Sequence, residues 1–458
     1  LTNRTLLKNG CVLSLDKKVG NFRQADLLID GSKIAAVGPG LTARGSEVID
    51  CSDSIVMPGF VDTHRHAWES LFRNHGESGE RPVSAAVYGH HYQPEDVYAA
   101  TLIGLLGAVE AGITTVVDWS DIQFDGGYTE AALQAHSDAG LRTVFVHSVP
   151  QWASRSIGTQ EDVGIVLRRL VSGRGDAAGG ADAVGLSTTI AFGSREPVRF
   201  DLDLPNFDRL AGEWALARQL GLRIHTHAGS ETSNRGVVSD LGERHLLGED
   251  VTLVHCANLD DVDLDAIASS GASVSLAPSS EMAGGLGSLP IQNLIDRGIR
   301  PGLGVDSERV APGDMFAQMR AAISLQHATL FNLKLAGKAG LPQLLSTRDV
   351  IRYATKDGAR VAGLGRLAGS LEPGKQGDIV VLRTDRPNVF PINDPIGAVV
   401  WGMDTSNVDW VFAGGRVLMR NGGLEADVQH ARNLAMTAQH RVAVASGLLV
   451  ETISRGSV

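Results

Sequence analysis

The chain has 458 residues, 43% hydrophobic and 20% charged, which is ample material for a large core and excludes a disordered or fibrous protein. Its length suits one large barrel with a satellite domain better than a single small unit. A net charge of −11 argues against non-specific attachment to nucleic acid or acidic membrane surfaces.

Residues 1–15 lack a basic-then-apolar leader pattern, and no apolar run reaches the roughly 18 residues of a membrane helix. The three cysteines, Cys11, Cys51 and Cys256, are too few and scattered for a disulfide framework. A cytoplasmic setting is therefore expected. Short strand-like pieces open the chain at 6–7, 12–13, 25–29 and 34–37, with Asp30-Gly31 as a hairpin turn signal. The pattern then changes to strand followed by helix. Strands are predicted at 60–64, 114–118, 143–147, 184–190, 223–227, 252–255, 273–276 and 302–306. Amphipathic segments at 99–110, 207–220 and 264–269 follow several of them. Eight strands alternating with helices over roughly 300 residues predict a (β/α)8 TIM barrel. Strand-like texture returns at 379–382, 399–401, 408–412 and 417–418. The two β-rich ends are expected to pair into a small β-sandwich. The fold class is thus α/β, with a discontinuous sandwich of 1–56 and 370–423 and a barrel of 57–369. The alanine-rich tail, 424–458, is expected to be helical.

In such a barrel the chemistry sits at the C-terminal ends of the strands. The first predicted strand runs into His64-Arg65-His66, and period-two alternation sends both imidazoles to one face. The fifth ends in His225-Thr226-His227, the sixth in His255 and the eighth in Asp306. Three imidazoles and a carboxylate meeting at one point form a ligand set for Zn2+ or Fe2+. They leave a position open for water, whose pKa the ion lowers towards neutrality. A single His-x-His pair is weak evidence, because most such pairs are surface or core residues. Four such strand ends at one predicted barrel mouth are much harder to produce by chance.

The stretch Pro58-Gly59-Phe60-Val61-Asp62-Thr63-His64-Arg65-His66 resembles the opening signature of the amidohydrolase superfamily. The similarity continues through Ala111-Gly112-Ile113-Thr114-Thr115-Val116-Val117-Asp118, His225-Thr226-His227, Val254-His255, Ala277-Pro278-Ser279-Ser280 and Gly304-Val305-Asp306. Gly374-Lys375-Gln376-Gly377-Asp378-Ile379-Val380 resembles the return into the terminal sandwich. The resemblance covers nearly the whole chain in the family's order. It looks closest to the branch holding cytosine and guanine deaminases, adenosyl-nucleoside deaminases and triazine hydrolases.

That resemblance implies His64, His66, His227 and Asp306 as metal ligands. His255 would orient the attacking water and polarise the developing oxyanion, Asp306 would also act as general base, and His225 would pack behind the site. Many superfamily members bridge two metals with a carboxylated lysine on strand four. No lysine stands between Lys33 and Lys334, so that centre is excluded and one divalent ion per chain is expected, zinc before iron.

Two positions depart from the deaminase pattern. Ser230 stands where those relatives carry the glutamate of His-x-x-Glu, which passes protons to the leaving amine or ring nitrogen, and Glu231 follows one place later. After strand seven, Glu281 replaces a usual asparagine and could serve as the proton carrier or bind a donor-rich substrate. Trp68, Arg73 and His91 are candidates to line a pocket for a flat ring, with helix packing as the alternative. His75, His90 and His91 lie in a long connection expected to form a lid. His136, His245, His327, His430 and His440 are expected to be solvated. The implied function is a metal-dependent aminohydrolase of a small nitrogen heterocycle, with no nucleic-acid or membrane partner and a homodimer or larger homo-oligomer as its assembly. Hydrolysis of a non-amino leaving group or a cyclic amide is the alternative. A non-catalytic binding relative is a third, and the intact set His64, His66, His227, His255 and Asp306 argues against it.

Overall fold

The computed structural model describes residues 4–74, 84–150, 160–172, 188–198, 206–230 and 232–448. Eight parallel strands follow one another in chain order around a single sheet. They are β1 (Phe60–Arg65), β2 (Ile113–Ser120), β3 (Arg142–His147), β4 (Thr189–Ser194), β5 (Arg223–Ala228), β6 (Val251–His255), β7 (Ser273–Leu276) and β8 (Gly302–Leu303). Helices alternate with them, among them Pro94–Glu110, Gly126–Ala139, Asn206–Gln219 and Met315–Leu335. Every residue of β1, β2 and β3 is buried, because helices cover one face and the barrel interior the other. Local chemistry sets the helix ends. Asp260 caps Asp261–Ser270 by accepting the N–H groups of Val262 and Asp263 at 3.1 and 3.0 Å, and Gly271 stops it at φ +74°.

The circle closes between β8 and β1. Arg65 and Asp306 form a parallel bridge. The Asp306 N–H donates to the His64 carbonyl at 2.8 Å, and the His66 N–H donates to the Asp306 carbonyl at 3.1 Å. Gly304 permits this approach, since a Cβ there would stand 2.8 Å from the His64 carbonyl oxygen. Val61, Val117, Trp119, Val144 and Val146 fill the interior and pack on Ala359 and Ala362 of the segment around helix Lys356–Val361. The Val61 N–H bonds the Ala354 carbonyl at 2.9 Å, so this segment plugs the end of the barrel where the strands begin. Chemistry is left to the opposite end.

Both chain ends build a second, nine-stranded mixed sheet. The join is antiparallel, with Ser54–Pro58 against Ile379–Arg383 in the register Pro58↔Ile379 to Ser54↔Arg383. Its apolar residues, including Leu7, Val12, Leu27, Ile379, Val381 and Phe412, form a core separate from that of the barrel. The expected hairpin is present: Asp30 pairs with Lys33 across a two-residue loop whose Gly31 takes φ +59°. Arg142 of β3 ties this sheet to the barrel through Asp378, Nε to Oδ2 at 2.7 Å with both side chains buried.

Two strand expectations need correction. Residues 399–401 lie in a helical turn, Ala398–Gly402, because Asp394 caps Ile396 and Pro395 presets the first helical φ. The fourth barrel strand runs later than its expected 184–190, ending at Ser194, and 184–187 lie outside the described residues. The tail helix Val428–Ser446 packs on Pro94–Glu110, and its Gln439 amide donates to the Leu71 carbonyl at 2.9 Å. No helix among the described residues is long and apolar enough to cross a membrane.

Candidate active site

Five side chains converge at the C-terminal mouth. His64 and His66 leave β1 on one face with ring centroids 4.9 Å apart. His227, near the end of β5, brings its Nε2 to 3.3 Å from that of His64. His255 ends β6 and stacks on His227 at 5.3 Å. Asp306 Oδ1 lies 3.3 Å from Nε2 of both His64 and His66. The ligand atoms of His64, His227 and His255 all lie within 4.8 Å of one another, as do those of His64, His66 and Asp306. His64 belongs to both sets, so the five donors surround one region. Imidazole lone pairs facing each other with a carboxylate beside them suit a borderline divalent metal, for which nitrogen and oxygen are both good ligands. Two of the five stand on unusual backbone: His255 at φ +73° and Asp306 at φ +64°. Non-glycine residues rarely adopt that region, and proteins keep it mainly where the surroundings aim a side chain for use.

Several polar groups at the mouth have a partner behind them. His66 Nδ1 meets Asp121 Oδ1 at 3.1 Å, and the same oxygen accepts the Trp68 indole N–H at 2.7 Å. His255 Nδ1 meets Glu281 Oε1 at 3.1 Å, and that oxygen also accepts the Ala277 N–H at 2.7 Å. The Ser280 hydroxyl donates to Asp306 Oδ2. Trp119 packs edge-on to His227 at 4.3 Å. Outer partners of this kind fix ring orientation and tautomer.

Burial, with the neighbouring His66 and His255, holds the His64 imidazole down at about 4 despite Asp306. Burial also drives His227 well below its ordinary value. Both rings are therefore neutral near pH 7 and keep a lone pair for a metal. His66 is pushed the other way. Burial opposes its charge, but Asp121 and then Asp306 raise it well above the usual range. Burial would raise Asp306, yet the bonds from His64 and His66 hold it well below, so it is an anion. The carboxylates that draw a proton towards His66 would equally draw a divalent cation.

The remaining sequence candidates are distributed differently. Glu281 is at the site but fully buried, facing His255 from behind. Trp68 is also fully buried, edge-on to Tyr92 at 5.3 Å, and serves Asp121 where a pocket wall was one expectation. The cause is the 3-10 helix Ala67–Phe72, which folds it back into the core. Arg73 is held by Glu308 at 2.8 Å and by the Ile103 carbonyl at 3.4 Å. His91 is half-buried on the turn Gly89–His91, whose carbonyl accepts from Arg441 of the tail helix. Glu231 and His75 lie outside the described residues. His225 is buried one pleat below His227, with neither ring nitrogen bonded. His136 corrects an expectation of solvation: it is buried, with Nε2 2.7 Å from Asp118 and Nδ1 2.9 Å from the Thr143 hydroxyl.

Asp121, Trp119 and Ser280 were missed as contributors. Asp121 follows β2 directly, and extending that strand from Asp118 to Ser120 would have placed it at the mouth with the other strand ends.

The sequence pattern of the Amidohydrolase family matches residues 55–418. A 5'-deoxyadenosine deaminase of Methanothermobacter thermautotrophicus is 31% identical over 89% of this chain and 92% of its own. A 5-methylthioadenosine/S-adenosylhomocysteine deaminase of Syntrophus aciditrophicus is 26% identical over 94% of this chain and 96% of its own. Among solved structures, an adenosine deaminase from Xanthomonas campestris with bound zinc superposes with a TM-score of 0.77 at 21% identity, covering 96% of this chain and 98% of that one. A zinc complex of atrazine chlorohydrolase from Arthrobacter aurescens gives 0.79 at 22% identity, covering 95% of this chain and all of that one. These structural likenesses establish the fold, and the match spanning both sheets' junction and all eight barrel strands establishes more: the chain belongs to the amidohydrolase family.

Proposed function

We propose that this protein is a metal-dependent aminohydrolase that removes an amino group from a nucleoside-like nitrogen heterocycle. The observation that carries the reading is the overlap of two donor sets at His64, on a chain 31% identical to a 5'-deoxyadenosine deaminase. His64, His66, His227 and Asp306 are the ligands in this reading, and one zinc ion is the occupant that best fits three imidazoles and a carboxylate. When bound, that ion supplies a water of lowered pKa and a positive charge for the developing oxyanion.

The protein's own groups do the rest. Asp306 Oδ2, steadied by the Ser280 hydroxyl, takes a proton from the attacking water. His255 is raised above its ordinary value by its bond to Glu281 and the charge of Asp306, against burial, so it offers an N–H to the oxygen on the attacked carbon. Glu281 acts through His255, which it orients. A second reading, hydrolysis of a leaving group that departs without a proton, is favoured by Ser230 three residues after His227.

The test is ammonia release by metal-loaded protein from 5'-deoxyadenosine, methylthioadenosine, S-adenosylhomocysteine and guanine, beside chloride release from a chlorotriazine. Turnover of at least one adenine nucleoside is expected. Chloride release with no ammonia from any amine would replace the first reading with the second.

A further inference from the structure

Amine departure needs an acid, and Ser230 cannot be one. Four carboxylates near the mouth belong to its framework. Glu281 is buried behind His255, and Asp121 is shared by His66 and Trp68. Glu69 accepts from Ser307 and Arg309, and Glu308 is paired with Arg65 and Arg73. Glu196 differs. It is half-buried and lies two residues beyond β4, on the loop that the late ending of that strand delivers to the mouth. Its Oε1 accepts the backbone N–H of Ser230 at 3.0 Å and the Asn234 amide at 3.5 Å. A carboxylate from the fourth strand is thus fastened to residue 230 itself, just past the ligand His227. It is also close enough to act on His255 and on Cys256.

We propose that Glu196 carries the proton to the leaving amine, from β4 rather than from the loop after β5. The inference rests on the aminohydrolase reading. One proton of the attacking water passes through Asp306 to the ring nitrogen. Glu196 takes the proton of the hydroxyl on the attacked carbon, which becomes the carbonyl, and hands it to the amine as the carbon–nitrogen bond breaks, so ammonia leaves. Water's two hydrogens end on the ring nitrogen and on ammonia, and Glu196 is regenerated.

Glu196→Gln separates this role from a structural one. The amide oxygen still accepts the Ser230 N–H, but the group no longer transfers a proton. With an amino-purine nucleoside, E196Q is expected to lose at least about a hundredfold in kcat, the scale of general acid catalysis. Its metal content and melting temperature should match wild type. With the 6-chloropurine nucleoside, whose chloride needs no proton, the loss should stay within about fivefold. Glu196→Asp keeps a carboxylate and is expected to recover part of the ammonia-releasing rate, and it carries the same comparison if E196Q does not fold. An equal loss on both substrates, or near-wild-type ammonia release by E196Q with the large loss in Glu231→Gln, overturns the proposal. If wild type releases no ammonia from any amine, the aminohydrolase reading has failed instead, and the chloride arm shows whether the enzyme is active.

Discussion

Asp121 accepts hydrogen bonds from a metal-ligand candidate and from a buried indole at one oxygen, and this double hold is how the chain fixes the His66 ring. Removing the charge while keeping the shape, by Asp121→Asn, would weaken both the pull on the Nδ1 proton and the basicity of Nε2. Metal affinity should fall by about 10–100-fold, the usual cost of losing an outer carboxylate, as read by competition with a chelator. Unchanged affinity would mean that Asp121 only packs Trp68. The ligand candidates were legible at this scale because a histidine or aspartate on a hydrophobic strand has few other uses. Asp121 and Ser280 were not, since a loop aspartate and serine are ordinary residues until neighbours 55 and 26 positions away arrive. His136 misled for the opposite reason. On its helix it reads as polar, and only the fold sets Asp118 and Thr143 beside it.

Among the elements, the seam between β8 and β1 matters most to the site. It places Asp306 against His64 and His66, and it depends on Gly304 having no side chain. A methyl there would meet His64 backbone atoms at 2.8 and 2.9 Å, and backbone cannot swing aside as a side-chain tip can. Gly304→Ala is expected to cost about 1–3 kcal/mol in denaturant unfolding and to lose metal together with stability. A variant of native stability and metal content would show that the seam adjusts freely. The barrel strands were readable because burial on both faces leaves short apolar runs, such as Val144-Phe145-Val146 in β3. Val399-Val400-Trp401 carries the same apolar signal but lies in a helical turn, because the aspartate and proline before it start a helix and an apolar run alone does not state its period.

At the scale of the whole molecule, the sheet built from both ends is tied to the barrel by Arg142 and Asp378, whose side chains are only 4% and 2% exposed. Asp378 also accepts the Gly414 N–H at 2.7 Å, so it holds two strands of different parts at once. Asp378→Asn should destabilise the fold by about 3 kcal/mol, because Arg142 would be left buried and unpaired. Thermal unfolding would show it, and a change under half that size would mean that water reaches the arginine. The pairing of the chain ends was legible from their shared β-rich texture. The ion pair that spans them was not, since 236 residues separate its partners.

The central claim is that one ion held by His64, His66, His227 and Asp306 makes this barrel a hydrolase. The most direct measurement is a titration of chelator-stripped protein with zinc, following ammonia release from 5'-deoxyadenosine. Activity should rise from near zero and level off at about one ion per chain. Full activity in the stripped protein, or a plateau only at two ions, would contradict it.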